Sequence, residues 1–287
     1  MDSAPATGHD PAILTRSRAR EDSVLELYHN GMSVCSQKVR LVLAEKGLDF
    51  ESHHLDLRAG DQFTADYRRL NPAAVVPTLV HDGAAIREST VIMEYLDEVF
   101  PDPSLKPANA VARAVMRVWT KAMDEGVHAA CANIAYATAY RSIMQQKSPE
   151  EFEAHLNRMP DPERRERQRQ AIEHGLDAPL IRRSVLLYDR TLADMEAALA
   201  GSDWLAGDGY SLADVALTPY VLRVETMGLE DVLFAARGRV ADWLARIKAR
   251  ANFAPAVADR MPGPPVAALK EAGNAARDEV ARIVKAA

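Results

Sequence analysis

The sequence predicts two domains, a mixed α/β domain with the element order βαβ-ββα and, after it, an all-helical domain. A length of 287 residues exceeds what one hydrophobic core usually serves, so two domains are expected. Strand-type alternation is confined to the first hundred residues, and long helical patterns follow from Ala108 onward. Between these regions, residues 101–107 carry three prolines, which is typical of a linker.

The first half alternates strand and helix signals. Residues 24–28 alternate as a short strand, and residues 36–46 have helical spacing that ends at Gly47, a residue suited to a left-handed cap. Residues 50–55 predict a second strand, and residues 63–70 a short helix.

The remainder of the first half predicts a hairpin and a helix. Residues 78–80 and 84–87 flank a turn that ends in Asp-Gly, which is typical of a β-hairpin. Residues 89–100 form an amphipathic helical pattern that stops before Pro101, with Ser89 in a position to cap it. The result is a compact mixed sheet with helices packed on it.

Beyond the linker, each predicted element is helical or irregular. Residues 110–140 are long enough for one extended helix, whereas residues 147–179 are polar and form an irregular or helical insertion. Ser211 and Asp214 have the spacing of a capping box at the start of a helix. The remaining predicted helices are 185–200, 211–224, 240–250 around Trp243, and a marginal terminal helix at 267–287.

These signals predict the following division of the chain. Residues 1–23 are a disordered lead-in, 24–101 the α/β domain, 102–107 the linker, 108–262 the helical domain with a polar insertion near 145–180, and 263–287 a tail with helical signals.

Composition excludes several classes of function. The formal net charge of -6 argues against a nucleic-acid protein, and no apolar run reaches the ~18–20 residues of a membrane span. The first 23 residues lack the apolar core of a secretory signal. Cys35 and Cys131 are too few and too far apart for a disulfide framework, so a reducing cytoplasm is expected. The eight histidines show no metal-ligand spacing, so no metal is expected.

Three motifs carry a resemblance to a known family. They are Val-Val-Pro-Thr-Leu at 75–79, Glu-Ser at 88–89, and Tyr-Ser-Leu-Ala-Asp at 210–214. In order and spacing they resemble the motifs of the glutathione transferase superfamily. The resemblance implies a thioredoxin-like N-terminal domain, a helical-bundle C-terminal domain, glutathione as co-substrate and a homodimer.

Shorter segments resemble particular branches of the superfamily. Residues 32–36 and 74–79 look like the zeta-related bacterial tetrachlorohydroquinone reductive dehalogenases. Residues 112–125 and the polar insertion look like the bacterial β-etherases, which cleave aryl ethers with glutathione. The zeta class also contains maleylacetoacetate isomerase.

The resemblance assigns glutathione-binding roles to four residues. A Val-Pro bond before a strand suits a cis-proline turn, in which the backbone of Val76, next to Pro77, would pair with the cysteinyl part of glutathione. Glu88 would meet the γ-glutamyl amino group and Ser89 its carboxylate. The structural alternatives are that Pro77 only begins an edge strand and that Ser89 only caps its helix.

The sulfur chemistry would fall to residues at the start of the first helix. The resemblance implies that the Ser33 hydroxyl stabilises the glutathione thiolate, with Ser36 as a competing glutathione-binding candidate that is also a natural N-cap. Cys35 could resolve a glutathione conjugate by thiol–disulfide exchange, assist isomerisation, or pack as a small hydrophobe. Cys131, in an Ala-rich helix, fits core packing.

Two positions depart from the family pattern. Val75 stands where a Lys or Gln usually meets the glycine carboxylate of glutathione, and Arg58 or Gln62 could replace that contact. Cys35 stands where the β-etherases have an asparagine near the sulfur.

The predicted function is attack of glutathione thiolate on a small electrophilic, aromatic substrate, by ether cleavage, dehalogenation or conjugation. Alternatives are a glutathione-dependent cis–trans isomerase and a non-catalytic glutathione-binding protein. Soft and aromatic residues of the long helix are candidates for the substrate pocket, although their spacing equally fits core or dimer packing. These candidates are Trp119, Met123, Tyr136 and Tyr140.

Overall fold

A four-stranded mixed sheet forms the first part of the chain in the computed structural model, which describes residues 24–286; the predicted disordered lead-in lies outside them. The strands are β1 (Leu25–His29), β2 (Glu51–His54), β3 (Thr78–His81) and β4 (Ala84–Ile86). Their order is β2-β1-β3-β4, with β2 parallel to β1 and the pairs β1–β3 and β3–β4 antiparallel. The predicted βαβ-ββα domain is confirmed.

Helices pack on this sheet through its apolar residues. They are α1 (Val34–Glu45), α2 (Ala65–Leu70) after a 3₁₀ turn, and α3 (Ser89–Val99). Leu27 of β1 lies opposite Leu79 of β3, and both are fully buried. Burial of such side chains is the main favourable term that holds the helices to the sheet.

The second part of the chain is helical throughout, as predicted. Its α-helices are α4 (Ala110–Ala122), α5 (His128–Ala135), α6 (Arg141–Met144), α7 (Pro149–Asn157), α8 (Pro162–His174), α9 (Pro179–Ala198), α10 (Leu212–Thr226), α11 (Glu230–Leu233), α12 (Gly238–Lys248), α13 (Phe253–Ala256) and α14 (Gly263–Lys285). The polar insertion is thus the helix pair α7–α8. Among the described residues, no helix combines the length and apolarity that crossing a bilayer requires.

The single helix predicted over 110–140 is interrupted. Wide π-type turns at Met123–Val127 and Tyr136–Tyr140 separate α4, α5 and α6. Gly126 lies in the first of them with φ of 154°, a conformation that side chains other than glycine rarely adopt. The helical run therefore bends just before His128.

Helix starts also differ from the predictions. Helix α1 begins at Val34 rather than Ser36, because Ser33 accepts the Ser36 amide and is the N-cap. Ser89 was predicted to be the N-cap of α3, but it is the first helical residue, and Glu88 holds the cap position. Helix α9 begins at Pro179, six residues before the predicted start, since proline suits the first turn of a helix.

The end of the chain is more ordered than the marginal helix predicted there. Helix α14 spans 23 residues and buries Leu269, Val280 and Ile283. Gly273 allows it to pack closely, since a Cβ at this position would lie 1.8 Å from the Met227 carbonyl oxygen. Tertiary packing thus supplies the stability that its Ala-rich sequence lacks alone.

Buried polar contacts join the two parts of the chain. Lys46 of α1 pairs with Asp97 of α3 at 2.7 Å and donates to the Phe100 and Pro103 carbonyls at the linker. Arg40 of α1 donates to the Ala256 carbonyl at 2.7 Å. Each buried cation therefore has hydrogen-bond acceptors, which burial of charge requires.

Candidate functional site

Ser33 lies at the N-terminus of α1, where its hydroxyl oxygen accepts the amide of Ser36 at 3.2 Å. This bond uses an acceptor position of the hydroxyl and leaves its proton free to be donated elsewhere. Ser33 is partly exposed, and the helix N-terminus beside it favours negative charge. The position therefore suits an anion such as a thiolate.

The loop before Ser33 is held from both parts of the chain. The Gly31 carbonyl accepts hydrogen bonds from Gln37 and Arg40, each at 3.2 Å. The Met32 carbonyl accepts one from Arg223 of α10 at 2.6 Å. Because these donors are buried or half-buried, the loop has one well-determined conformation.

The Val76–Pro77 peptide bond is cis, as the sequence predicts. Tyr67 and Asn71 fix the preceding turn by donating to the Val75 carbonyl at 2.6 and 3.0 Å. Among residues 24–286, no hydrogen bond uses the backbone of Val76 itself. Among the described residues, the Val76 amide and carbonyl are therefore not used for internal hydrogen bonds, although the residue is buried.

Glu88 and Ser89 lie at the start of α3. Glu88 has φ of 66°, a left-handed conformation that is uncommon outside glycine and occurs most often at functional sites. Its side chain is exposed, whereas Ser89 is buried and lies near enough to Cys35 to lower the pKa of that thiol. The first turns of α1 and α3 thus lie close together around Cys35.

Cys35 contacts two residues of the helical domain. Its sulfur lies 3.5 Å from Nδ1 of His128 and 3.8 Å from the Tyr220 hydroxyl, which is itself 3.2 Å from the same His128 nitrogen. The Lys38 ammonium lies 5.6 Å from the centre of the Tyr220 ring. The cluster therefore combines a thiol, an imidazole, a phenol and a buried cation.

The charges around Cys35 favour its thiolate. Burial alone would raise the pKa of Cys35, but His128 and Lys38, with hydrogen bonds from His128 and Ser89, lower it to about 5. The negative charge of Cys35 in turn raises the pKa of His128. Burial raises the pKa of Tyr220 well above its ordinary value, so its hydroxyl stays protonated. These mutual interactions favour a thiolate–imidazolium pair over a neutral thiol and imidazole.

His128 and Tyr220 are functional-site residues that the sequence analysis missed. They lie 93 and 185 positions from Cys35, so no local spacing points to the cluster. His128 follows the glycine bend within an apolar run, and that was its one local signal. Cys131, by contrast, is buried as predicted, and burial raises its pKa.

The four predicted pocket residues separate into two groups. Met123 is fully buried and Trp119 donates to the Leu205 carbonyl at 3.1 Å, so both belong to the helical core rather than to an open pocket. Tyr136 and Tyr140 are partly exposed, and their ring centres lie 5.1 Å apart. These two tyrosines remain available to a substrate.

Ser36 does not suit the role of a ligand contact. It is fully buried, and its hydroxyl accepts the Asn30 amide at 3.4 Å. Of the two candidates to replace the contact missing at Val75, Arg58 is exposed. Gln62 is buried, with its Oε1 atom lacking a partner among the described residues.

The structure also gathers one group of metal-ligand type that the sequence did not suggest. Ligand atoms of Glu26, Glu51 and His53 lie within 4.8 Å of one another on β1 and β2. Nε2 of His53 hydrogen-bonds the Glu26 carboxylate at 3.0 Å, which accounts for the grouping without a metal.

Comparison with known proteins identifies the family. The N-terminal domain model of glutathione S-transferases matches residues 32–99, and the corresponding C-terminal domain model matches residues 162–246. Protein LigF from Sphingobium sp. (strain NBRC 103272 / SYK-6) is 39% identical over 194 residues, which cover 67% of this chain and 75% of the relative. Rat maleylacetoacetate isomerase is 32% identical over 201 residues, covering 69% and 77%.

Solved structures agree with these relatives. The crystal structure of the beta-etherase LigF superposes with a TM-score of 0.73 at 35% identity, covering 81% of this chain and 98% of the other. Glutathione transferase F7 from Populus trichocarpa gives a TM-score of 0.65 at 27% identity, covering 84% and 100%. The chain therefore belongs to the glutathione S-transferase family, as an enzyme that uses glutathione as its co-substrate.

Proposed function

We propose that the enzyme binds glutathione with its sulfur at the N-terminus of α1 and directs the thiolate at an electrophilic carbon of a small aromatic compound. One observation carries the proposal: the first turns of α1 and α3 lie close together around Cys35, beside the Ser33 hydroxyl. Two helix N-termini favour anions, so the site stabilises both a carboxylate and a thiolate of one ligand.

Ser33 is the proposed activating group. Its free proton would be donated to the glutathione sulfur, which stabilises the thiolate relative to the thiol. The buried donors that hold the Gly31 and Met32 carbonyls keep this hydroxyl in place. Such preorganisation lowers the cost of reaching the transition state.

The remaining contacts would orient glutathione. The Val76 backbone would pair with the cysteinyl unit, Ser89 would hold the γ-glutamyl carboxylate, and the exposed Glu88 would meet the amino group. Pro77 fixes the turn that presents Val76. A γ-glutamyl end held in this way aligns the sulfur with Ser33.

His128 is the proposed proton donor. Attack on an ether carbon forms a carbon–sulfur bond and releases an aryloxide, which needs a proton. The imidazolium form of His128 can supply it, because its pKa is raised and the residue is exposed. Before this transfer, the negative charge of Cys35 would hold His128 in its charged form.

Ether cleavage is the reaction that we place first. LigF, which carries the name beta-etherase, matches this chain over 98% of its solved structure. The Cys35–His128 pair suits departure of an aryloxide, since that leaving group accepts a proton. Simple displacement of a halide needs no such acid, because a halide ion leaves without a proton.

Glutathione-dependent cis–trans isomerisation is the second candidate. It is favoured by the likeness to rat maleylacetoacetate isomerase and by the thiolate character of Cys35. In this reaction glutathione adds and leaves again, so none is consumed.

Steady-state consumption of glutathione with product mass spectrometry tests the proposal. The probes are a β-aryl ether, a chlorinated hydroquinone and maleylacetone, with wild type beside Ser33→Ala and Cys35→Ala. We expect turnover of the ether and a roughly 100-fold lower kcat/KM in Ser33→Ala, as for loss of one anion-stabilising donor. Turnover of maleylacetone alone, with glutathione conserved, would establish the isomerase instead.

The non-catalytic rival has a distinct signature. A binding protein would retain glutathione in calorimetric titration and turn over none of the three probes. If the wild-type protein neither binds glutathione nor turns over any probe, the proposed glutathione site is refuted.

We further propose that the enzyme acts as a cytoplasmic homodimer. Val111, Val115 and Val118 follow one another at intervals of four and three residues on α4 and are 73%, 41% and 67% exposed. This spacing places them in one apolar stripe, which a second copy of the chain would cover.

A further inference from the structure

The insertion α7–α8 carries four arginines close together in α8, and they are not alike. Arg165 donates to the Met159 carbonyl at 3.2 Å, Arg167 pairs with Asp161 and Glu163, and Arg169 pairs with Glu153. Within residues 24–286, Arg164 makes no hydrogen bond or ion pair, although it is half-buried. A half-buried cation without a partner lacks the compensation that burial of charge normally requires.

Arg164 lies on the inward face of α8. Gln168, Ala171 and Ile172 are the buried residues of this helix, and Arg164 precedes Gln168 by four positions. Side chains four residues apart share a helix face, so Arg164 extends the buried face toward the helix N-terminus. This face packs against the segment Tyr136–Tyr140 and against α5.

A second polar group at the same place is also unpartnered. The Nε2 atom of His155 in α7 is buried and has no hydrogen-bond partner among the described residues. Gln168 of α8 lies near both His155 and Tyr136, because it influences the pKa of each. Arg164, whose charge lowers the pKa of the same two residues, is therefore also near them.

The surroundings of this cluster are cationic. Burial lowers the pKa of His155, and the charges of Lys147, Arg158 and Arg164 lower it further, so the ring is neutral with one N–H to donate. The charge of Arg164 also lowers the pKa of His128 and of Tyr136. Arg164 therefore lies on the side of α8 nearer to the cluster of Cys35, His128 and Tyr220. An anion is the ligand that this arrangement would stabilise.

We propose that Arg164 and His155 bind an anionic group, a carboxylate or phenolate, carried by the second substrate at the end remote from the glutathione sulfur. The inference rests on the proposed function for the position of that sulfur. Eight residues separate His128 from Tyr136, or about 12 Å along a helix. The preferred substrate is thus an acidic aromatic compound about as long as two linked rings, with its reactive carbon at the glutathione sulfur and its anion at the insertion.

The same chemistry could serve the glycine carboxylate of glutathione, which lost its usual contact at Val75. The experiment separates the two sources. It compares kcat/KM for a β-aryl ether that bears a ring carboxylate with that for its methyl ester, and the KM for glutathione. The variants are Arg164→Gln and Arg164→Lys, with Arg167→Gln as the matched control, since that arginine already has acidic partners on the same helix.

The expected result is selective. Arg164→Gln lowers kcat/KM for the acid about 10- to 100-fold, which is the effect of losing one charged hydrogen bond. The same variant changes kcat/KM for the ester less than threefold. Arg164→Lys recovers part of the lost kcat/KM for the acid, and Arg167→Gln leaves kcat/KM unchanged for both substrates. The KM for glutathione stays constant.

Other results would overturn the proposal. Equal losses with acid and ester would make Arg164 a structural residue, and a rise confined to the KM for glutathione would assign it to the glycine carboxylate. If wild type turns over neither ether, the proposed function fails, and binding is tested directly by calorimetry with benzoate and benzamide. Binding of benzoate alone, lost in Arg164→Gln, would sustain the anion site; equal binding of both would refute it.

Discussion

The two cysteines show how residue environment sets chemistry. Cys131 is enclosed by apolar helices, and burial raises its pKa, so it remains a thiol. Burial acts in the same direction at Cys35, but His128 and Lys38 outweigh it and lower the pKa to about 5. A thiolate reacts with electrophiles and a thiol does not, so the two residues should differ greatly in reactivity.

The pH dependence of alkylation measures this difference. A lowered pKa means that Cys35 is ionised above about pH 5. The rate constant of its reaction with iodoacetamide should therefore reach its maximum by pH 7 and decrease as the pH is lowered through 5. Peptide mass spectrometry follows Cys35 and Cys131 in one sample. Cys131 should stay unlabelled in the folded protein at every pH in this range.

Replacing His128 by Gln should move the midpoint of the Cys35 profile upward by at least one pH unit, because the main stabilising charge is gone. Tyr220→Phe is the matched control, since it removes a neutral neighbour and should shift the midpoint less. A midpoint near 8.5 in wild type would contradict the ion pair.

At the residue scale, the features that depend only on neighbouring residues in the chain could be predicted from the sequence. The cis Val76–Pro77 bond and the candidate Cys35 follow from adjacent residues. His128 could not be predicted, because α1 and α5 meet only in the folded chain and a lone histidine in an apolar run has no distinguishing spacing.

At the scale of elements, two capping boxes make a natural comparison. Ser211 caps α10 within the core, where Asp214 accepts from the Ser211 and Leu205 amides and from the Trp243 indole at 2.9 to 3.0 Å. Ser148 caps α7 at the surface with Glu151. The motif is the same, but only the first is shielded from water.

Ser211→Ala should lower the free energy of unfolding by about 2 kcal/mol, because the cap bond is lost and the Asp214 carboxylate loses a buried donor. Ser148→Ala should lower it by about 0.5 kcal/mol or less, since water replaces its bond. Urea unfolding followed by circular dichroism compares the two. Equal effects would mean that burial adds nothing to the cap.

Element boundaries were predictable where a cap residue is decisive and less so elsewhere. The Ser211–Asp214 box was predicted and is confirmed. Residues 110–140 were predicted as one helix because none of these residues excludes a helical conformation. The bend occurs at Gly126, which has a positive φ and lies beside Leu187. The start of α3 was displaced because Glu88 adopts a left-handed conformation that a glutamate rarely takes.

At the scale of the molecule, the two parts of the chain share one hydrophobic core. Buried residues of α1 and α3 continue into those of α9 and α10 without a gap. The Cys35 cluster lies on this junction, with Cys35 from one side and His128 and Tyr220 from the other. The fold class was predictable from the order of patterns, but the residues that the junction brings together were not.

The valine stripe on α4 is an apolar surface that this packing leaves exposed. A charge within the stripe would have to be desolvated in a dimer, so Val118→Asp should weaken association at least 100-fold. Light scattering after gel filtration should give twice 31.5 kDa for wild type and the single mass for the variant. Ile143→Asp, at a residue 44% exposed on α6, is the matched control and should remain a dimer. A wild type that elutes as a monomer at micromolar concentration would refute the dimer, and the stripe would then need another partner.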